Sequence, residues 1–254
     1  MKAFWQLLRK DLLAQRWAVG ILLGLSFVWH LLLYSKIGIW YPQAILSLGL
    51  IPFFFIHLWI LWISIQVYRT EWAEDTAYLL LSLPVSSWLI TGVKLLTVVL
   101  YTCFSLLVIA ASYFTFFRGE IISAIQPYLM YLETGWYKRD LINIGLILFI
   151  FFVGSIMLIH FSYICSRMVN RLRGLVLIWV FLLSNWVCSQ LANLIEPLLN
   201  WLPTFGVDLP YVEFGNLMLR EYRIPSSPFV SYILVVFGLF ALGNWLWEKQ
   251  IELA

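Results

Sequence analysis

Six stretches of this chain run for about 20 residues or more with hardly a charge in them, the length an α-helix needs to cross the roughly 30 Å hydrocarbon core of a bilayer. They fall at about 17–35, 44–67, 93–117, 141–165, 174–195 and 228–247, with ends read to within roughly 2–4 residues. Backbone in lipid must satisfy its own polar groups, so each run is expected as a helix. The expected fold is therefore an all-α integral membrane protein, one transmembrane domain over residues 1–254 with six spanning helices. Composition agrees: 63% of the 254 residues are hydrophobic and 11% charged, against roughly 45–50% and 25% in a soluble domain. Almost nothing is left for a water-soluble part.

Lys and Arg set the orientation. The N-terminus, the loops after spans two and four, and the C-terminus carry Lys2, Arg9, Lys10, Arg16, Arg69, Lys94, Arg167, Arg171, Arg173 and Lys249. The other side carries Lys36, Arg118, Lys138, Arg139, Arg220 and Arg223. Ten against six, together the 16 basic residues of the chain, puts both termini in the cytoplasm. The short loop SRMVNRLRG (166–174) is the cleanest single vote. Lys2, Arg9, Lys10 and Arg16 precede the first span as in a secretory signal, but the following YSKIGIWYPQ has no small-x-small cleavage pattern, so an anchor that stays is expected.

Ahead of that span, Phe4, Leu8 and Leu12 share a helical face with Trp5 beside them, while Lys2, Gln6, Arg9, Lys10 and Arg16 gather opposite. This pattern suits an interfacial amphipathic helix over 1–16, or else an ordinary positive flank. The outer segments 118–140 and 196–227 mix aromatics, Pro and Gly with a few charges. They are too apolar for plain loops and too interrupted to span, and short interfacial or partly re-entrant pieces are expected there.

Several chemistries find no support. The net charge of +3 is spread along the inner segments without a basic, aromatic-lined groove, which argues against nucleic acid. Cys103, Cys165 and Cys188 all fall inside spans, with no paired spacing for a disulfide framework or a zinc site. No Gly-x-x-x-x-Gly-Lys-Ser/Thr loop occurs, so any dependence on ATP must come from another chain. His30, His57 and His160 lie about 20, 15 and 8 Å from the inner ends of their spans, so the first two can share a depth and the third cannot. Phe53 and His57 form an F-x-x-x-H pair of the kind found in CAAX-processing intramembrane proteases, but the partner motifs of that family are missing. His57 is left as a packing or pore-lining histidine.

Span five carries Asn185, Ser189 and Asn193 at four-residue intervals, which puts them on one helical face. Such a face either pairs with a neighbouring helix or lines a polar path for a substrate.

The densest charge cluster stands on the inner side between spans two and three, in EWAEDTAYLLLSLPVSSWLITGVK (71–94). Trp72, Thr76, Leu79, Leu80 and Leu83 recur at helical spacing, with Glu71, Glu74, Asp75 and Ser82 pointing elsewhere, which gives a short amphipathic helix. Pro84 ends it, lacking the amide hydrogen of the next turn and pushing its neighbour out of the helical region. Ser86 or Ser87 can then cap span three.

The order Glu71, Asp75, Thr76, Leu79 to Leu81, Ser82 to Ser86, Ile90 and Lys94 resembles the first cytoplasmic loop of the ABC-2 type transporter permeases of bacteria. The common form has a Gly before the Thr, where this chain has Asp75. The six-span plan, the N-terminal helix and the short basic loop carrying Arg167, Arg171 and Arg173 are similar too. What the resemblance implies is a permease subunit of a multi-pass transporter in the cell membrane, usually an exporter. It implies pairing with a second permease chain, identical or related, and with a dimer of cytoplasmic ATPases that bind ATP and Mg. The first inner loop would be a coupling helix seated in a groove of the ATPase. Glu71, Glu74, Asp75 and Thr76 would face that partner, Leu80 and Leu83 would anchor the helix, Pro84 would stop it, and Lys94 would belong to the same coupling set. An intramembrane enzyme, and a membrane sensor or immunity protein that transports nothing, stand as the alternative classes.

Overall fold

The computed structural model of the protein describes residues 2–73, 86–125, 136–169, 171–213 and 216–252. Among these, 6 helices are long and apolar enough to cross a membrane, and each expected span falls on one of them. In chain order they are α1 (Lys2–Tyr34), the pair α2 (Pro42–Gly49) and α3 (Ile51–Ala73), α4 (Ser87–Ile125), α5 (Trp136–Arg167), α6 (Arg173–Ile195) and α7 (Ser227–Glu252). Between α6 and α7 lie two strands, β1 (Thr204–Glu213) and β2 (Asn216–Pro225).

The chain divides into two compact units, one of residues 1–127 and 247–254, the other of 128–246. In the first, α1 and α3 both pack on α4. In the second, α6 and β1 pack on α5. The ring of Phe240 on α7 stands 4.9 Å from that of His160 on α5.

The expected separate helix over 1–16 is not a separate element, because α1 runs unbroken for 33 residues, about 50 Å at the usual rise per residue. Its buried positions explain the continuity. Leu8, Asp11, Gln15, Val19, Leu22, Ser26, His30 and Leu33 follow one another at steps of three and four, so a single stripe stays inside from end to end. The basic residues Arg9, Lys10 and Arg16 are exposed, as expected, but they share the outside with Trp5, Leu13 and Trp17.

The second span is broken near its N-terminal end. Pro52 has no amide hydrogen for the carbonyl of Leu48, and the amide of Phe53 turns to Leu50 rather than to Gly49. A carbonyl stripped of its helical donor in an apolar setting needs another. Trp29 Nε1 donates to Leu48 O at 3.0 Å, and Tyr113 Oη donates to Leu46 O at 3.2 Å. His30 Nε2, 3.1 Å from Gly49 O, must carry its proton, since a carbonyl only accepts. Gly49 also makes room for α4, because a Cβ there would stand 2.6 Å from the ring of Tyr113.

A correction concerns the two segments expected as interfacial or partly re-entrant pieces. Residues 196–227 hold an antiparallel hairpin, paired from Thr204↔Pro225 to Glu213↔Asn216, so the described chain is not wholly α-helical. Pro203, Gly206 and Pro210 disfavour a helix here, while a ribbon of two strands has free edges that tolerate proline. The segment 118–140 is largely drawn into helices: α4 continues through a kink at Phe117 to Ile125, and α5 starts at Trp136. Residues 126–135 lie outside the described part.

Candidate functional site

Of the coupling set expected from the sequence, Glu74, Asp75, Thr76, Leu80, Leu83 and Pro84 lie outside the described residues. Their flanks are defined. Glu71 belongs to the last turn of α3, which runs to Ala73. On the other flank, the amides of Leu89 and Ile90 donate to the carbonyl of Ser86, which begins α4. The hydroxyl of Ser87 is engaged elsewhere, donating to Glu248 Oε1 at 2.5 Å.

Lys94 has a side chain only 1% exposed and turned into the first unit. Nζ donates to the carbonyl of Val67 at 3.1 Å, lies 3.9 Å from Asp11 Oδ2, and stands 5.1 Å from the ring centre of Tyr68. A lone ammonium is too costly to bury, and the acid of α1 with the carbonyl and ring of α3 together offset its lost water. Close by, Tyr101 Oη donates to the carbonyl of Leu12, and Gln15 Nε2 donates to Thr70 Oγ1 at 3.4 Å. Polar groups thus tie α1, α3 and α4 together a few turns from the acid-rich stretch.

The short segment between α5 and α6 is basic. Arg167 Nε donates to Tyr163 Oη at 3.1 Å, with the guanidinium 5.0 Å from the same ring centre. Arg173 Nε donates to Val169 O at 3.2 Å, and Arg171 is exposed. The residue just before α6, Leu172, has a φ of 58°, a left-handed conformation that costs a residue with a side chain roughly 1–2 kcal/mol.

The histidines do not converge. His30 is wholly buried between Gly49 O and Ser112 Oγ, the latter at 2.7 Å from Nδ1, whereas His57 is exposed on the outer side of α3. His57 therefore neither packs inside the first unit nor shares a space with His30.

Asn185, Ser189 and Asn193 do come together. All three are exposed on α6 and line one groove in the second unit, of about 520 Å³, walled by Phe151 of α5 and by Phe229 and Tyr232 of α7. The adjoining face of α6, Ser184, Cys188 and Ala192, is the buried one, and Ala192 borders the groove. Gly154 positions the wall: a Cβ there would stand 2.8 Å from the ring of Tyr232, so only glycine lets that ring lie against α5. Among the described residues no charged side chain lines the groove, and none of the three polar side chains has a hydrogen-bond partner. Held against lipid tails, each would cost roughly 1–3 kcal/mol, so the groove is suited to something that hydrogen-bonds.

The sequence pointed to the polar face of α6 but not to its aromatic wall, nor to Asp11, Gln15 and Tyr101 around Lys94. A signal for the latter existed in the three-and-four spacing of Leu8, Asp11, Gln15 and Val19. Comparison of the chain with protein-family models, with characterised proteins and with solved structures found no match.

Proposed function

We propose that this chain is the membrane-spanning permease subunit of an ATP-binding cassette exporter. It would work as half of a transmembrane dimer driven by a separate cytoplasmic ATPase that binds the ATP and Mg. The observation that carries the reading is the acid-rich, proline-stopped stretch from Glu71 to Lys94, set between the second and third of six membrane-capable helices. In a chain with so few charges, three carboxylates within five residues call for a polar partner. Charge complementarity with an ATPase groove would fix register and specificity there more than raw affinity.

The polar ties of Asp11, Gln15 and Lys94 support the same reading from the membrane side. The helices that flank the loop, α3 and α4, are fastened to α1 and would move with it, so closure of the ATPases would be passed on as a rigid-body displacement. The excess of Lys and Arg on this side supports a cytoplasmic location for the loop and for both termini of a bacterial membrane protein.

The test is reversal of charge. Glu71→Lys, Glu74→Lys and Asp75→Lys together should detach a co-expressed ATPase during purification or uncouple its hydrolysis from transport. A complex that purifies intact and transports at the wild-type rate would sink the coupling role.

A further inference from the structure

We infer that the groove on α6 is a binding site for an uncharged amphiphile, a molecule with an aromatic or aliphatic body and amide or hydroxyl groups along one edge. The inference rests on the reading of the chain as a permease only in calling that amphiphile the transported class.

Three observations converge on this class. The groove of about 520 Å³ is open, but its size is that of a small-molecule site. Its polar side is a ladder, Asn185, Ser189 and Asn193, one helical turn apart and about 12 Å from first to last. Carboxamides and a hydroxyl both donate and accept, so each rung can match an amide or a hydroxyl of a ligand in either sense. Facing the ladder, Phe151, Phe229 and Tyr232 offer ring surface to an apolar body.

The charge of the ligand follows from what is missing along this wall. Among the described residues neither an acid nor a base lines the groove, and the nearest acid along the chain, Glu196, lies a turn beyond Asn193 and does not line it. An ion brought here would lose its water without gaining a counter-charge, whereas a neutral amide would lose little and satisfy side chains that otherwise have no partner. The groove thus selects against carboxylates and ammonium groups by desolvation alone.

Photolabelling tests this on the full chain in lipid nanodiscs. The probe is N-acetyl-4-benzoylphenylalaninamide, which is uncharged, compared with its free-carboxylate and free-amine counterparts. The neutral probe should label α6 or the facing parts of α5 and α7 about tenfold more than either ion, and N185L/N193L should lower that labelling by about tenfold, the effect of one or two lost hydrogen bonds. Ser189→Ala, which removes a single oxygen, should give a smaller loss in the same direction. Equal labelling by all three probes, or labelling indifferent to N185L/N193L, would show simple partition into lipid and overturn the inference. So would a Ser189→Cys chain that forms disulfide-linked dimers while excluding the probe, since a second copy would then cover the groove. Neutral-selective labelling by a chain that binds no ATPase would keep the site and overturn the permease reading. An intact ATPase complex without neutral selectivity would do the reverse.

Discussion

His30 reaches from α1 to the carbonyl of Gly49, 3.1 Å away, at the place where the second span breaks. The contact is a repair: a group on one helix stands in for the amide of Phe53, which turns to Leu50 at the break. His30→Leu leaves that carbonyl without its donor in an apolar interior, at a cost of roughly 1–3 kcal/mol. Ser112, by contrast, keeps its bond to the carbonyl of Ile109 at 2.9 Å. His30→Gln retains a donor of similar reach, so thermal unfolding in detergent should rank wild type above Gln and Gln above Leu. Equal midpoints for Gln and Leu would show that the bond contributes nothing.

The pair Asp11 and Lys94 predicts a coupled loss. Removing one member of a buried ion pair strands the other, typically at about 3–5 kcal/mol, while replacing both by apolar residues of similar size can be close to neutral. Asp11→Leu and Lys94→Met should each lower folded yield and melting temperature, and the double variant D11L/K94M should recover most of the loss. A double variant as poor as the sum of the two singles would mean that the residues act independently.

At Leu172 the expected change is a gain. Its left-handed backbone is strained, and its side chain is 72% exposed, so little packing is lost on removing it. Leu172→Gly should raise stability by about 0.5–1 kcal/mol, the relief of strain less the extra freedom that glycine has when unfolded. Chemical denaturation monitored by tryptophan fluorescence reads this directly, and a lower midpoint would overturn it.

The spans were legible because length and apolarity suffice to identify them, and the shared face of Asn185, Ser189 and Asn193 because helical spacing alone determines it. What escaped was direction. Lys94 was counted among the inner charges, and counting cannot tell a side chain that faces a partner from one that faces Asp11. Pro52 announces a break, but nothing near it in sequence says that Trp29, His30 and Tyr113 supply the missing donors, since those contacts join different helices. The hairpin was hidden for another reason: its aromatic and apolar residues beside a membrane read as interfacial. The alternation of Val207, Leu209 and Tyr211, with Phe214 and Gly215 between the two runs, was the signal for a ribbon.

The contact between Asp11 and Lys94 also bears on how the chain is made. Asp11 lies in a helix that leaves the ribosome ahead of α4, and Lys94 is synthesised some 80 residues later. When α4 brings its lysine to the membrane, the acid that will neutralise it is already there. Chain order therefore lets the most costly residue of the span enter beside its counter-charge instead of alone.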